Sequence, residues 1–231
     1  MESEERMRVI RRAKSSKPPR LSPPKIPYDL NGNMDITTEP PLENLCNEWI
    51  DQITRIVPRE NEYYNLKPGI TEVEIAEHRS LSADIHIPDD LLRFYQVMDV
   101  EYDSVASAFT FRSHDLIAFK DIAKEWQDIN DLFGLDNPDD LDLSGYSDKV
   151  KAEGYANPRW IPIATSRDGD YLLYDTDPSE KGRYGQIIAL SNESWTRVVV
   201  AESLTQLIQH EIDEIRRGNI EQFEFILEED D

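Results

Sequence analysis

Four aspartates, Asp168, Asp170, Asp175 and Asp177, have the spacing in this sequence that most suggests chemistry. Each i, i+2 pair sits at the end of a short apolar run. Close carboxylate oxygens are what a Ca²⁺ site or an acid–base pair requires. A metal-dependent hydrolase built on Asp168–Asp177 is therefore one function class to carry forward. The ligand alternation of a calcium loop is absent, however, and aspartate is a common turn former, so turn-forming roles are the expectation. His78, His86, His114 and His210 are scattered without metal-ligand spacing, and the metal-hydrolase-like dipeptide His114-Asp115 has no companion ligands. Cys46 is the only cysteine, which excludes an internal disulfide and a thiolate cluster, and its apolar helical position suits a small buried hydrophobe. No serine stands in a nucleophile elbow and no glycine-rich stretch could cradle a phosphate. The expectation is no catalytic residue, no metal and no cofactor.

Groups that could bind a partner are denser in the polar stretch 134–159, which is longer than an ordinary connection. Asp136, Asp139, Asp140 and Asp142 form an acidic cluster there, with Tyr146 and Tyr155 as apolar contacts; Glu101, Tyr102 and Asp103 could extend the surface. Trp195, in a turn, is a further candidate anchor, whereas Trp49, Trp126 and Trp160 fit core positions.

Net charge is −22 over 231 residues, unevenly spread. Residues 1–30 hold eight Lys/Arg against four Asp/Glu; the remainder holds seventeen against forty-three. So acidic a surface repels nucleic acid and favours a basic protein partner, such as a toxin or signalling protein, with simple solubility as the plain alternative. Met1–Arg12 alternates charges without the apolar centre of a secretory signal, and no run approaches the roughly 20 apolar residues of a membrane span. The cytoplasm is the expected compartment.

The supporting elements follow from periodicity. Residues 1–40 form a basic, proline-rich tail expected to be disordered. Leu42, Leu45, Cys46, Trp49, Ile50, Ile53, Ile56 and Val57 recur at helical spacing until Pro58. A second helix opens on a Thr71/Glu74 capping box with an Ile70/Ile75 staple, and a third follows Pro88. Ala108–Arg112 reads as a strand and Phe119–Phe133 as a helical stripe. The period then changes: Trp160–Thr165, Tyr171–Asp175, Gln186–Leu190 and Arg197–Ala201 are short strands joined by turn residues, a β-meander. A last helix runs from Ser203 to a Gly218 cap, and residues 219–231 read as an acidic tail. Helices before and after a block of strands imply an α+β fold, with one domain over residues 41–218.

Two blocks carry a resemblance. Pro68-Gly69-Ile70-Thr71, Glu74-Ile75-Ala76, Ile87-Pro88-Asp89-Asp90-Leu91 and Phe94-Tyr95 form the first. Trp160-Ile161-Pro162-Ile163-Ala164, Asp168-Gly169-Asp170-Tyr171-Leu172, Asp175 with Asp177-Pro178, Gly185-Gln186-Ile187-Ile188 and Val199-Val200-Ala201 form the second. Their order and spacing resemble the SUKH superfamily, which includes the fungal cell-wall assembly regulator and bacterial toxin-immunity proteins. The resemblance implies a six-stranded or similar sheet flanked by helices, no shared catalytic residues, and binding of another protein as an immunity protein or regulatory scaffold.

Overall fold

The computed structural model describes residues 40–82, 84–101, 107–133, 142–194 and 196–228. The tail assigned to residues 1–40 lies outside them except for Pro40. Helix α1 (Leu42–Ile56) buries Leu42, Leu45, Cys46, Trp49 and Ile53, and Pro58, which cannot continue a helix, lies just past its end. Thr71 caps α2 (Glu72–Leu81): its hydroxyl accepts from the Glu74 N–H while the Glu74 carboxylate takes the Thr71 N–H, the reciprocal pair that its sequence predicts. Helix α3 (Asp89–Val97) starts after Pro88, with Asp89 and Asp90 at its electropositive end.

Between α1 and α2 lies β1 (Leu66–Pro68), which pairs antiparallel with β2 (Met98–Val100) directly after α3. This small sheet is not visible in the sequence: three-residue strands are too short for alternation to register.

The main sheet has six antiparallel strands in sequential order: β3 (Thr110–Phe111), β4 (His114–Leu116), β5 (Trp160–Thr165), β6 (Tyr171–Asp175), β7 (Ile187–Leu190) and β8 (Arg197–Ala201). The meander β5–β8 follows the expected runs closely. The expected strand over Ala108–Arg112 is instead a two-residue strand and a tight turn, because Arg112 and Ser113 both adopt left-handed backbone, φ 50 and 67. That conformation reverses the chain into β4, which puts His114-Asp115 into sheet pairing. Arg-Ser is not a turn pair that composition would flag. Pro162 has no N–H to offer the ladder, and the β5–β6 register shifts between Pro162 and Ala164.

Strand alternation splits the core into two layers. Ile161, Ile163, Leu172, Tyr174 and Ile187 join the large cluster with α1, α3 and α5 (Leu204–Arg217). Trp160, Leu173, Ile188 and Leu190 face the other way, against Ile129 of α4 (Ile122–Phe133) and the segment around Tyr146 and Tyr155. The sheet curls: the Arg112 guanidinium reaches within 3.5 Å of the Val200 carbonyl of β8, and the Arg112 N–H donates to the buried Glu211 of α5. Ser203 caps α5 through the Gln206 N–H, and Gly218 ends it at φ 85. The stretch read as an acidic tail contains α6 (Glu221–Glu228), whose Phe223 and Ile226 are buried in the main core.

Candidate protein-binding cleft

Of the binding residues expected from the sequence, Asp136, Asp139, Asp140, Tyr102 and Asp103 lie outside the described residues, as does Trp195. Tyr146 and Tyr155 are half-buried and help to hold their own segment around Arg197, which is fully buried. Arg197 donates through Nε and Nη2 to the Tyr155 carbonyl (3.2 and 2.8 Å) and through Nη1 to the Thr196 and Ser191 carbonyls (2.9 and 3.3 Å). Its guanidinium lies 5.5 Å from the Tyr146 ring centroid, and the Tyr146 hydroxyl donates to the Gly154 carbonyl. Asp142 joins this segment through its N–H to the Tyr155 hydroxyl; its exposed carboxylate, held below the usual range by hydrogen bonds from Ser144, stays charged. Glu101 sits in other surroundings, past the end of β2, paired with Lys120 (2.9 Å) and Lys67 (3.3 Å). The structure thus brings Asp142, Tyr146 and Tyr155 together and seats Glu101 among other partners. Arg197, the organiser, was missed by sequence reasoning; the available signal was a lone arginine opening the apolar run Arg197–Ala201.

The aspartate pairs also separate. Asp168 and Asp170 precede β6 and Asp175 and Asp177 close it, about 16 Å of extended strand apart. Asp170 accepts the Asn192 N–H, joining two neighbouring hairpins. Asp175 is fully buried; burial raises its carboxyl, which accepts from the Asp177 N–H (2.9 Å) and Gln186 Nε2 (2.8 Å). Asp177 pairs with Lys151 and Asn157. These carboxylates anchor loops at two ends of one strand. Among the described residues, no group of three or more His, Cys, Asp or Glu side chains could hold a metal ion.

The surface feature with the most binding chemistry is a cleft of about 690 Å³ where the N-termini of α1, α3 and α5 meet the β6–β7 loop. Its lining includes the buried Tyr174, whose hydroxyl donates to Asp90 at 2.6 Å. Burial, and then that hydrogen bond, push the Tyr174 phenol far up, so it stays protonated and donating. Gly185 makes this contact possible: it adopts φ 82, and a Cβ there would lie 2.7 Å from the Tyr174 hydroxyl. Tyr184 stands edge-on to Tyr174, centroids 6.3 Å apart, yet keeps 56% of its surface exposed. Asp89, Arg93, Arg183 and His86 supply charge and hydrogen-bonding groups, while Pro40, Leu42 and Pro88 add apolar rim. A second hollow of about 530 Å³ between α2 and α3 shares Asp89 and Arg93 with the cleft and is lined by Ile75 and Leu92. Gln96 Nε2, donating to Glu72, ties its two walls together. The cleft thus presents an exposed ring on a fixed base, flanked by charges of both signs and continued by a second hollow lined mostly by charged and polar side chains, features found at protein interfaces.

An α+β module with a curled six-stranded meander, helices on its main face and a mixed aromatic and charged cleft is the class defined so far. Residues 69–210 match the SMI1 / KNR4 family (SUKH-1), and the chain belongs to that family. It is similar to a KNR4/SMI1 homolog of Yarrowia lipolytica, 39% identical over 67 residues, which are 29% of this chain and 9% of that protein. It is also similar to the cell wall assembly regulator SMI1 of Saccharomyces cerevisiae, 32% over 65 residues (28% and 13%). The glucan synthesis regulatory protein of Neurospora crassa matches at 33% over 66 residues (29% and 12%). These matches thus span 9–13% of the length of the curated relatives.

Proposed function

We propose that this chain is a non-catalytic protein-binding module that works as a regulatory scaffold, and that a partner polypeptide lands in the Tyr184 cleft. The carrying observation is Tyr184 itself. A large ring left 56% exposed, braced by Tyr174 and fixed by the Tyr174–Asp90 hydrogen bond, is pre-ordered for contact and loses little freedom on binding. Tyrosine is also among the residues that most often dominate interface energetics. The relatives named as regulators of cell wall assembly and glucan synthesis support the regulatory form of this reading. The net charge of −22 supports a basic partner, and with it a second form, immunity against a basic toxin. In either form the acidic cluster Asp136, Asp139, Asp140 and Asp142 speeds approach of the partner.

Selection from a displayed peptide library tests the cleft. Enriched peptides should bind the wild-type protein and lose at least tenfold in affinity on Tyr184→Ala. Asp90→Asn, which keeps the size of the side chain, should cause a smaller loss. Peptides that bind both variants as well as wild type would move the binding surface elsewhere.

A further inference from the structure

The described chain begins at Pro40, and Pro40 and Leu42 are themselves part of the cleft rim. Whatever precedes Pro40 is therefore tethered beside Tyr184. That preceding stretch differs in composition from the rest of the molecule. It contains Lys17-Pro18-Pro19-Arg20 and Pro23-Pro24-Lys25-Ile26-Pro27-Tyr28, and residues 1–30 are net basic on an otherwise strongly acidic chain. Proline-rich sequence with interleaved cations is the chemistry that aromatic-lined, acid-flanked grooves accept, because proline rings stack on exposed tyrosines with little ordering cost. Tyr184, braced by the buried Tyr174, provides the exposed ring, and Asp89 and Asp90 provide the acids for Lys25. Nearer to Pro40, the segment's Asp29, Asp35 and Glu39 are opposite in charge to Arg93 and Arg183 of the cleft.

We infer that the occupant of the cleft in the free protein is this chain's own segment Pro23–Tyr28. The inference rests on the cleft being the binding surface proposed above, and adds that the surface is self-masked until a partner displaces the segment. The length of the tether permits it: fifteen residues, the separation of Lys25 from Pro40, can span at most about 50 Å. A short tether also gives an effective concentration on the order of 1 mM. A segment whose intrinsic Kd is about 0.1 mM would then be docked about nine-tenths of the time, so even weak contacts suffice.

The test uses the full-length chain and a fluorescein-labelled synthetic peptide spanning residues 17–32. One variant combines Pro23→Ala, Pro24→Ala, Pro27→Ala and Lys25→Glu, which disables the tethered copy. Fluorescence anisotropy should show the peptide binding this variant about tenfold tighter than wild type, whose cleft is already filled. Adding Tyr184→Ala to the variant should abolish binding. Equal affinity for wild type and variant, or binding that survives Tyr184→Ala, would overturn the inference. A wild-type chain that dimerises with rising concentration in sedimentation, but not when the four substitutions are present, would place the segment on a second copy and also overturn it. If library peptides use the cleft while the 17–32 peptide does not bind, self-masking falls and the protein-binding reading stands.

Discussion

At the scale of single residues, the informative groups are polar ones buried where a hydrophobe would be expected. Asp175, Arg197 and Glu211 each sit in a core and each holds backbone of a neighbouring segment. Their residue types were legible in the sequence but their burial was not, because a charged residue inside an apolar run looks the same whether it faces water or a carbonyl cage. The Asp168–Asp177 carboxylates show the reverse. Asp175 makes the local aspartate turn, accepting the Asp177 N–H two residues on, and also holds a buried bond to Gln186 eleven residues away, whereas Asp170 reaches to the Asn192 N–H of the neighbouring hairpin. Glu211 yields a prediction. Burial, opposed by the Arg112 N–H, raises its carboxyl from the ordinary 4.5 to about 7. The Arg112 charge favours the ionised form and Glu214 disfavours it; the His210 ring lies 3.8 Å from the carboxylate. The folded chain therefore holds a proton that the unfolded chain releases between pH 4.5 and 7, and Glu211's contribution falls as pH rises through that window. Glu211→Gln should stabilise the protein at pH 8 by up to about 3 kcal/mol and flatten the decline between pH 5 and 7. Urea denaturation across that range checks it, and an unchanged slope would assign the decline to other carboxyls.

At the scale of elements, the long periodic segments were readable and the short ones were not. Helix α1, the Thr71 capping box, the four meander strands and the Ser203–Gly218 helix follow directly from spacing and caps. The strands β1, β2, β3 and β4 are two or three residues long, below the length at which alternation is distinguishable from chance. Helix α6 was hidden by composition, since an acidic end dominates the impression left by residues 219–231. Its Phe223 and Ile226 are nonetheless 1% and 2% exposed. Phe223→Ala should therefore cost about 3 kcal/mol, the lower end for a core phenylalanine because a terminal helix can relax into the space. In a chain of this size the thermal midpoint should drop by about 6–12 °C. A drop below about 2 °C would mean that α6 adds little to the core. The cleft illustrates the same limit: its residues come from α1, α3, α5 and the β6–β7 loop, and no local pattern ties Asp90 to Tyr174 across 84 positions.

At the scale of the whole molecule, fold and family were legible because the order of motifs survives even where each motif is weak. The binding surface was less so. Composition drew attention to the acidic stretch 134–159, whose Asp136, Asp139 and Asp140 lie outside the described residues and whose tyrosines help to cage Arg197; the exposed ring of the proposed cleft is Tyr184 in the β6–β7 loop. In the function proposed above the two surfaces have different duties: the molecular charge would draw a basic partner in, and the cleft would hold it. Among the described residues no helix is long and apolar enough to cross a membrane. The central claim, that the Tyr184 cleft receives another polypeptide, is open to one direct measurement. A photo-crosslinking phenylalanine analogue is placed at 184 and, as a control, at 132, where Leu132 is equally solvent-facing on α4 and outside the cleft. Irradiation in cells that naturally make the protein, followed by mass spectrometry, should give a defined polypeptide adduct from position 184 and none of that identity from 132. The same adducts from both positions, or none from 184, would contradict it.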